Sequence, residues 1–283
     1  MNSLRRLDQE ISFTGRGLHT GEDCRVILSP AEEGEGVLLE GRQNVLFPVE
    51  ECSFSGTGRG TEVFLPDGSS LKTPEHLFAA LAGLGVWSVR IGLQGPEVPA
   101  LDGCSDLFSN LIRANSTPLD GAQKKVEPLA PSYPVLVENR ERKALLAAFP
   151  SHNLAISYVI DYKGTAIGTQ AADFSASEDD FSSMVAPART FALESEVGAL
   201  LDRGLARGGT ASNALVVGES SVSASGGLRF KDEFVRHKIL DLLGDLYLLG
   251  RPLKARIIGL RSGHDLHCRL VERLLSAPGV KKL

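Results

Sequence analysis

The segment 234–245 has the residue pattern of a single amphipathic helix, and its polar side chains constrain how the rest of the chain can fold. At about 100° per residue, His237 and Asp241 lie one turn apart with side chains about 40° from each other, so both can reach one metal ion. Asp245, one further turn along, stays on the same face. The spacing predicts part of a metal site; for so short a pattern, the alternative is a helix whose charges are only solvated.

Length and charge narrow the class of protein. A chain of 283 residues with 42% hydrophobic and 23% charged residues can form two ordinary cores, so we predict two domains. The formal charge of −5 and the pI near 5.7 provide no basic footprint for nucleic acid or for an anionic membrane. We therefore expect no nucleic-acid partner. A small anionic substrate bound in a local basic pocket is compatible with this net charge.

Cysteine usage and the apolar segments predict a cytoplasmic protein. Four cysteines lie far apart without a C-x-x-C pair, which argues against a cysteine zinc site and is typical of reduced thiols. Residues 1–10 carry positive charge with no apolar run behind it, so no secretory signal is expected. The longest apolar segment, 77–87, has eleven residues with two glycines inside, so we expect no stable membrane insertion.

The first part of the chain predicts strands around a tight turn. Residues 11–65 are rich in β-formers, most clearly at 24–28 and 36–40. Within 14–21, three glycines in seven residues predict a tight, backbone-exposed turn around His19. His19 is therefore a candidate to point into a cleft, and a turn histidine in water is the alternative.

A helix is predicted to follow over 73–85. Its start signals are Thr73 as the N-cap, Pro74 at the first helical position and Glu75 in the first turn. Gly83 and Gly85 are predicted to end it. This arrangement places Glu75 and His76 in the opening turn, where a polar pair can face a cleft. With a strand predicted at 88–93, the first domain is of α+β type.

Composition changes over 117–134, which contains four prolines, so we place a domain boundary there. The predicted domains are 1–122, which carries the Glu-His helix, and 129–283, which carries the His-x3-Asp helix. The second domain is predicted to contain strands at 133–137, 143–148, 154–161, 214–217 and 253–260, and helices at 197–204, 234–245 and 266–275. It repeats the order of strands and then helices without a repeat at the level of residues.

These residues together can supply the chemistry of a zinc amide hydrolase. Such an enzyme needs three protein ligands, a general base and a donor for the developing oxyanion. The candidate ligands are His76, His237 and Asp241. Glu75, adjacent to a ligand, is the candidate base. His264, after a glycine, is a candidate acid or oxyanion stabiliser whose ring Asp245 could keep charged.

Seven motifs, in order and spacing, closely resemble the UDP-3-O-acyl-N-acetylglucosamine deacetylases of lipid A synthesis. They lie at 14–21, 73–85, 95–103, 188–191, 208–209, 234–245 and 262–264. The resemblance implies two similar layered α+β domains whose helices pack face to face, with the active site in the cleft between them. It also implies a cytoplasmic zinc deacetylase that removes acetate from a UDP-linked, 3-O-acylated glucosamine. We expect a monomer, although no motif bears on the oligomeric state.

The resemblance further implies a role for each matching residue. The implied zinc ligands are His76, His237 and Asp241; the implied catalytic residues are Glu75 as base, His264 oriented by Asp245, and Thr190 as a hydroxyl donor to the oxyanion. The implied substrate-binding residues are Phe191, packed on the sugar, and His19 and Lys238, beside the hexose or its charged groups. Zinc and ferrous iron both accept such a ligand set, so the sequence is compatible with either metal.

The chain departs from the family pattern at two places that matter. Gly164 and Thr165 stand where the family usually has a His-Pro pair in the insert that builds an apolar passage for the acyl chain, and His267 stands where Asn is common. Acyl-chain preference therefore stays open. Two alternative functions also remain: a zinc amidohydrolase acting on another N-acetylated sugar, and a non-catalytic UDP-sugar-binding protein.

Overall fold

The structure is a computed structural model that describes residues 4–32, 34–57, 59–119 and 126–277. The predicted N-terminal segment 1–10 and the predicted boundary segment 117–134 lie partly outside these residues.

In the N-terminal half the elements are β1 (Arg5–Leu7), β2 (Ile11–Arg16), β3 (Asp23–Pro30), β4 (Val37–Glu40), β5 (Leu46–Pro48), β6 (Ser53–Gly56), β7 (Thr61–Phe64), β8 (Ser70–Lys72), α1 (Glu75–Leu84), β9 (Val89–Gln94), α2 (Asp106–Ala114) and β10 (Ser116–Pro118), with short 3-10 helices at Arg42–Asn44 and Val49–Glu51.

The C-terminal half follows the same alternation. Its elements are β11 (Val135–Asn139), β12 (Ala144–Pro150), β13 (Ala155–Tyr162), β14 (Gly168–Ser175), α3 (Phe181–Met184), β15 (Phe191–Leu193), α4 (Glu194–Asp202), β16 (Leu215–Val217), β17 (Val222–Ser223), α5 (Glu233–Leu246), β18 (Ala255–Leu260) and α6 (His264–Leu275), with a 3-10 helix at Tyr247–Leu249. This mixture of sheets and helices confirms the predicted α+β class.

The two large sheets have the same topology. Their strand orders are β2-β3-β9-β4-β5 and β11-β12-β18-β13-β14. If the five strands of each sheet are numbered along the chain, both sheets have the order first, second, fifth, third, fourth. In both sheets the third and fifth strands are parallel, and the other neighbours are antiparallel. One helix, α1 or α5, precedes the fifth strand of its sheet, and another, α2 or α6, follows it. The chain is therefore duplicated in topology, while its division at 122 and 129 stays a prediction.

Helices α1 and α5 lie face to face, and a glycine sets how closely they approach. A Cβ built on Gly244 of α5 would lie 2.0 Å from the backbone oxygen of Glu75 in α1, so only glycine allows this contact. The buried ring of Tyr247, directly after α5, lies 5.2 Å from the ring of Phe78 in α1. The Tyr247 hydroxyl donates to the Val86 carbonyl at 2.7 Å. The start of α1 is thereby held against the last turn of α5.

The structure corrects three local predictions. Thr73 is not the N-cap of α1: it has a φ of +54°, and its hydroxyl donates to Glu97 at 2.9 Å, so α1 begins at Glu75 without a side-chain cap. Gly83 lies inside α1, and Gly85, with a φ of +76°, ends the helix alone. The last helix begins at His264 rather than 266, because the extended Gly263 serves as its N-cap.

The turn around His19 is shorter than predicted. Strand β2 continues to Arg16 because Gly15 pairs with Cys24 of β3, and the chain reverses after Gly17.

None of the described helices combines the length and the apolar character needed to cross a bilayer. The four cysteines are free and buried, as expected for reduced thiols.

Candidate active site and metal centre

Three predicted metal ligands converge from both halves of the chain. The ligand atoms of His76, His237 and Asp241 all lie within 4.8 Å of one another, and the three side chains are buried. Nε2 of His237 is 3.2 Å from Oδ1 of Asp241, and Nε2 of His76 is 3.9 Å from the same oxygen. His76 reaches this point from the first turn of α1, and the other two residues come from one face of α5.

The surroundings of these side chains prepare them to bind a cation. Nδ1 of His237 lies 3.0 Å from the carbonyl oxygen of Ala188, to which it donates, so Nε2 is the ring nitrogen that faces the centre. Burial, aided by the neighbouring His237 ring, lowers the pKa of His76 to about 3, which keeps that imidazole neutral. Two imidazoles and one carboxylate are the donor set of a catalytic zinc site, so the residues fit the metal that the sequence predicted.

Asp241 stays ionised although it is buried. Burial alone would raise the pKa of its carboxyl, but the neighbouring His237, Lys238 and His264 hold that pKa well below its usual value. The ammonium of Lys238 donates to Oδ2 of Asp241 at 2.7 Å. Oδ1, the oxygen that faces both histidines, is the one that could contact a bound cation.

Glu75 lies beside the predicted ligands and outside the group whose ligand atoms converge. Its carboxylate is 2% exposed, accepts the backbone N–H of Thr61 at 3.3 Å and lies 3.9 Å from Nε2 of His264. Burial raises the pKa of Glu75 to about 8, with the carboxylates of Asp245 and Asp241 adding to the effect and His264 opposing it. The ionised form of this carboxyl group, next to the predicted ligands, is placed to take a proton from water.

His264 and Asp245 form a buried pair next to Glu75. Nδ1 of His264 lies 2.7 Å from Oδ2 of Asp245, and the hydroxyl of Thr61 donates to Oδ1 at 2.6 Å. Burial lowers the pKa of His264, but the carboxylates of Asp245 and Asp241 outweigh it and raise that pKa to about 9. The ring is thus a cation at neutral pH, with Nε2 directed at Glu75 and at Asp241, 3.7 Å away.

The remaining predicted residues line one cavity with this centre. The cavity has a volume of about 950 Å³, and its wall includes His19, Thr190, Phe191 and Lys238 together with Glu75, His76, His237, Asp241 and His264. Tyr162 also lines it, and the hydroxyl of Thr165, in the turn after β13, donates to the Tyr162 carbonyl at 2.8 Å. The structure therefore brings together every predicted site residue, with Asp245 one layer behind His264.

A buried carboxylate that the sequence did not single out fixes the turn of His19. Glu97 is 1% exposed and accepts the backbone N–H groups of His19 and Thr20, both at about 3 Å, and the hydroxyls of Thr20 and Thr73. A Cβ at Gly17 would lie 2.3 Å from the Glu97 carboxylate, which explains the glycine there. His19 is thereby held with Nε2 at 3.1 Å from the Arg59 carbonyl, at the cavity wall.

A buried ion pair fixes the segment that carries Thr190 and Phe191. The Arg189 guanidinium contacts Glu233 at 2.8 and 3.2 Å, and the Arg189 backbone N–H donates to the same carboxylate at 3.1 Å. The two side chains are 3% and 0% exposed. This pair positions Ala188, the acceptor for His237, and places Phe191 edge-on against Phe234. The sequence contained Arg189 in a motif, but nothing in it identified the partner.

Glu233→Ala should lower the free energy of unfolding by about 3–5 kcal/mol, because it leaves the Arg189 guanidinium buried without its carboxylate. Urea unfolding followed by circular dichroism would measure the change. Glu138→Ala is the matched control, since Glu138 pairs with the highly exposed Arg140 and its loss should change stability little. Equal costs for the two variants would contradict a structural role for the buried pair.

Comparison with known proteins agrees with this geometry. The family model for UDP-3-O-acyl N-acetylglycosamine deacetylase (LpxC) matches residues 5–276. The UDP-3-O-acyl-N-acetylglucosamine deacetylase of Chlamydia trachomatis serovar L2 is 39% identical over 276 residues, which covers 96% of this chain and 95% of that protein. Those of Chlamydia caviae and Syntrophotalea carbinolica are 39% and 35% identical, over 96% and 95% of this chain and 96% and 87% of theirs. The chain therefore belongs to the UDP-3-O-acyl N-acetylglycosamine deacetylase family.

Proposed function

We propose that this protein hydrolyses the N-acetyl group of a UDP-3-O-acylated N-acetylglucosamine, the committed step of lipid A synthesis. The observation that carries the proposal is the convergence of His76, from one half of the chain, with His237 and Asp241, from the other, beside a buried carboxyl group. The substrate is the one in the names of its relatives. We also propose that it acts as a cytoplasmic monomer and binds no nucleic acid.

The metal is proposed to be zinc, with ferrous iron as the alternative. His76, His237 and Asp241 would hold it, and it would supply Lewis-acid polarisation of the amide carbonyl and of a water molecule. His237 is prepared for this role by the Ala188 carbonyl, which engages the ring nitrogen that does not face the centre.

Glu75 and His264 are proposed to move the protons. Glu75 accepts the proton that the attacking water loses as the water oxygen bonds to the acetyl carbon. The cationic His264 then gives its Nε2 proton to the glucosamine nitrogen as the carbon–nitrogen bond breaks, which yields acetate and the free amine. Asp245 keeps the His264 ring charged and oriented. The hydroxyl of Thr190 is proposed to donate to the oxyanion.

The cavity wall supports a sugar nucleotide as ligand. Phe191 offers a ring face to the hexose, while His19 and Lys238 are proposed to contact the hexose or its charged groups. Arg142 and Arg203 also line the cavity, so its wall can compensate the negative charge of a diphosphate although the whole chain is acidic.

Acetate release from acylated and unacylated UDP-N-acetylglucosamine tests the proposal. We expect rapid release from the 3-O-acylated compound and much slower release from the unacylated one, because the acyl chain adds binding energy within the same cavity. Faster turnover of the unacylated sugar would favour an amidohydrolase for another N-acetyl sugar. Binding of both compounds without acetate release, after metal loading, would favour a non-catalytic binding protein.

A further inference from the structure

Asp245 serves two imidazoles rather than one. Its Oδ2 lies 2.7 Å from Nδ1 of His264 and 2.8 Å from Nδ1 of His267, and its Oδ1 accepts the hydroxyl of Thr61. Asp245 and His267 are both 0% exposed. An ionised carboxylate can only accept hydrogen bonds, so Nδ1 of His267 carries a proton and donates it to Asp245. His267 itself lines no part of the substrate cavity.

The opposite nitrogen of His267 is also engaged. Nε2 lies 3.0 Å from the hydroxyl of Tyr158, which is fully buried on β13 and lies 2.6 Å from the hydroxyl of Ser262. Burial lowers the pKa of His267, which favours the neutral ring. The single hydroxyl proton of Tyr158 lies between two acceptors, Nε2 of His267 at 3.0 Å and the Ser262 carbonyl at 2.9 Å. The Ser262 hydroxyl then donates to Tyr158. Both ring nitrogens of His267 therefore have a partner, and the direction of the Nδ1 bond is fixed by the carboxylate.

The chain of hydrogen bonds connects three elements that meet at His264. Tyr158 extends from β13, Ser262 lies two residues before His264, and Asp245 belongs to α5. The carboxylate of Asp245 is held by three donors: Thr61, His264 and His267. If the His267 donor were removed, an oxygen of a buried carboxylate would lose one of its two partners, and the carboxylate could rotate away from the His264 ring.

We infer that His267 is a positioning residue for His264. It acts through Asp245, whose carboxylate plane it fixes, and so keeps Nε2 of His264 directed at the reacting amide. This inference rests on the proposed function, in which His264 protonates the leaving amine. It concerns a side chain that touches neither the substrate nor the metal ligands.

Two substitutions at position 267 separate positioning from packing. In His267→Asn the amide nitrogen occupies nearly the position of Nδ1 and can still donate to Asp245. In His267→Gln the amide lies near the position of Nε2, where it meets Tyr158 and cannot reach Asp245. We expect kcat of the Asn variant to stay close to that of the wild type. The Gln variant should lose about 10- to 100-fold in kcat, the usual cost of losing an outer-shell partner, with KM and Tm close to wild type.

A spectroscopic measurement tests the same inference without turnover. The Nδ1 proton of His264, hydrogen-bonded to a buried carboxylate, should exchange slowly with water in ¹H–¹⁵N spectra of the full metal-loaded chain. It should stay sharp in His267→Asn and broaden in His267→Gln. Equal losses of kcat in both variants, an unchanged Gln variant, or a sharp His264 signal in the Gln variant would each overturn the inference. A wild type that releases no acetate would instead refute the proposed function, and the spectra would still decide the positioning.

Discussion

Glu75→Gln should reduce turnover by about 10²- to 10⁴-fold, the usual contribution of a general base, while leaving the metal content unchanged. The amide has the shape of the carboxylate but cannot accept a proton from water. Glu75 is also outside the group of side chains whose ligand atoms converge, so its loss removes no proposed ligand. Steady-state acetate release and metal analysis on the same preparation would measure both effects.

Glu272→Gln provides the matched control for that variant. Glu272 is an exposed carboxylate on α6, the helix that begins at His264, and its conversion to an amide should leave turnover unchanged. Normal turnover by Glu75→Gln would mean that another residue is the base. Loss of metal from Glu75→Gln would instead identify Glu75 as a ligand.

Local spacing predicted the parts of the site that lie on one element. His237 and Asp241 are four residues apart on α5, and their convergence follows from helix geometry alone. Glu75 and His76 were likewise placed by a helix start that the sequence signals. Their distance from α5 was not predictable from spacing, because it depends on the close contact between Gly244 and the Glu75 backbone. The chemistry of a zinc amide hydrolase grouped His76 with His237 and Asp241 as candidate ligands, and the resemblance to the family implied the same set.

The predicted elements match where hydrophobic patterning is strong and fail where it is weak. Strands β3, β9, β13 and β18 carry β-branched and alternating residues and were predicted within a few positions. Strand β14, with the sequence GTQAADFS, was missed because only its Phe174 is buried and its pairing with β13 supplies the order. The sequence predicts two similar domains, but not the shared strand order of their sheets, because equivalent strands share no residue pattern.

Buried polar partners were the least predictable part of the site. Glu97, Glu233 and His267 are 1%, 0% and 0% exposed, and each acts through residues far away in the sequence. Glu97 lies inside a motif that carried the family resemblance, which is a usable signal. His267 was visible only as a departure from that family pattern. The sequence can therefore draw attention to such a residue. Its role becomes clear only when the structure shows its hydrogen-bond partner.

His237→Ala should abolish stoichiometric metal binding and, with it, nearly all turnover. Loss of an outer-shell partner already weakens metal sites by about 10- to 100-fold, so loss of one of three ligands should cost more than that. The variant also leaves the Ala188 carbonyl without its ring donor, which disturbs the segment next to Thr190. Metal analysis after dialysis against a weak chelator, followed by acetate release with added zinc, would measure both losses.

His152→Ala is the control for that variant, because His152 is an exposed histidine outside the cavity and its removal should change neither metal content nor turnover. Thermal unfolding of both variants with and without zinc separates the two possible causes of inactivity. If His237 is a ligand, added zinc should raise the Tm of wild type and His152→Ala but not of His237→Ala, since a ligand stabilises only a protein that binds it. Stoichiometric zinc and normal turnover in His237→Ala would show that the metal is held elsewhere, and the convergence of α1 and α5 would then need another explanation.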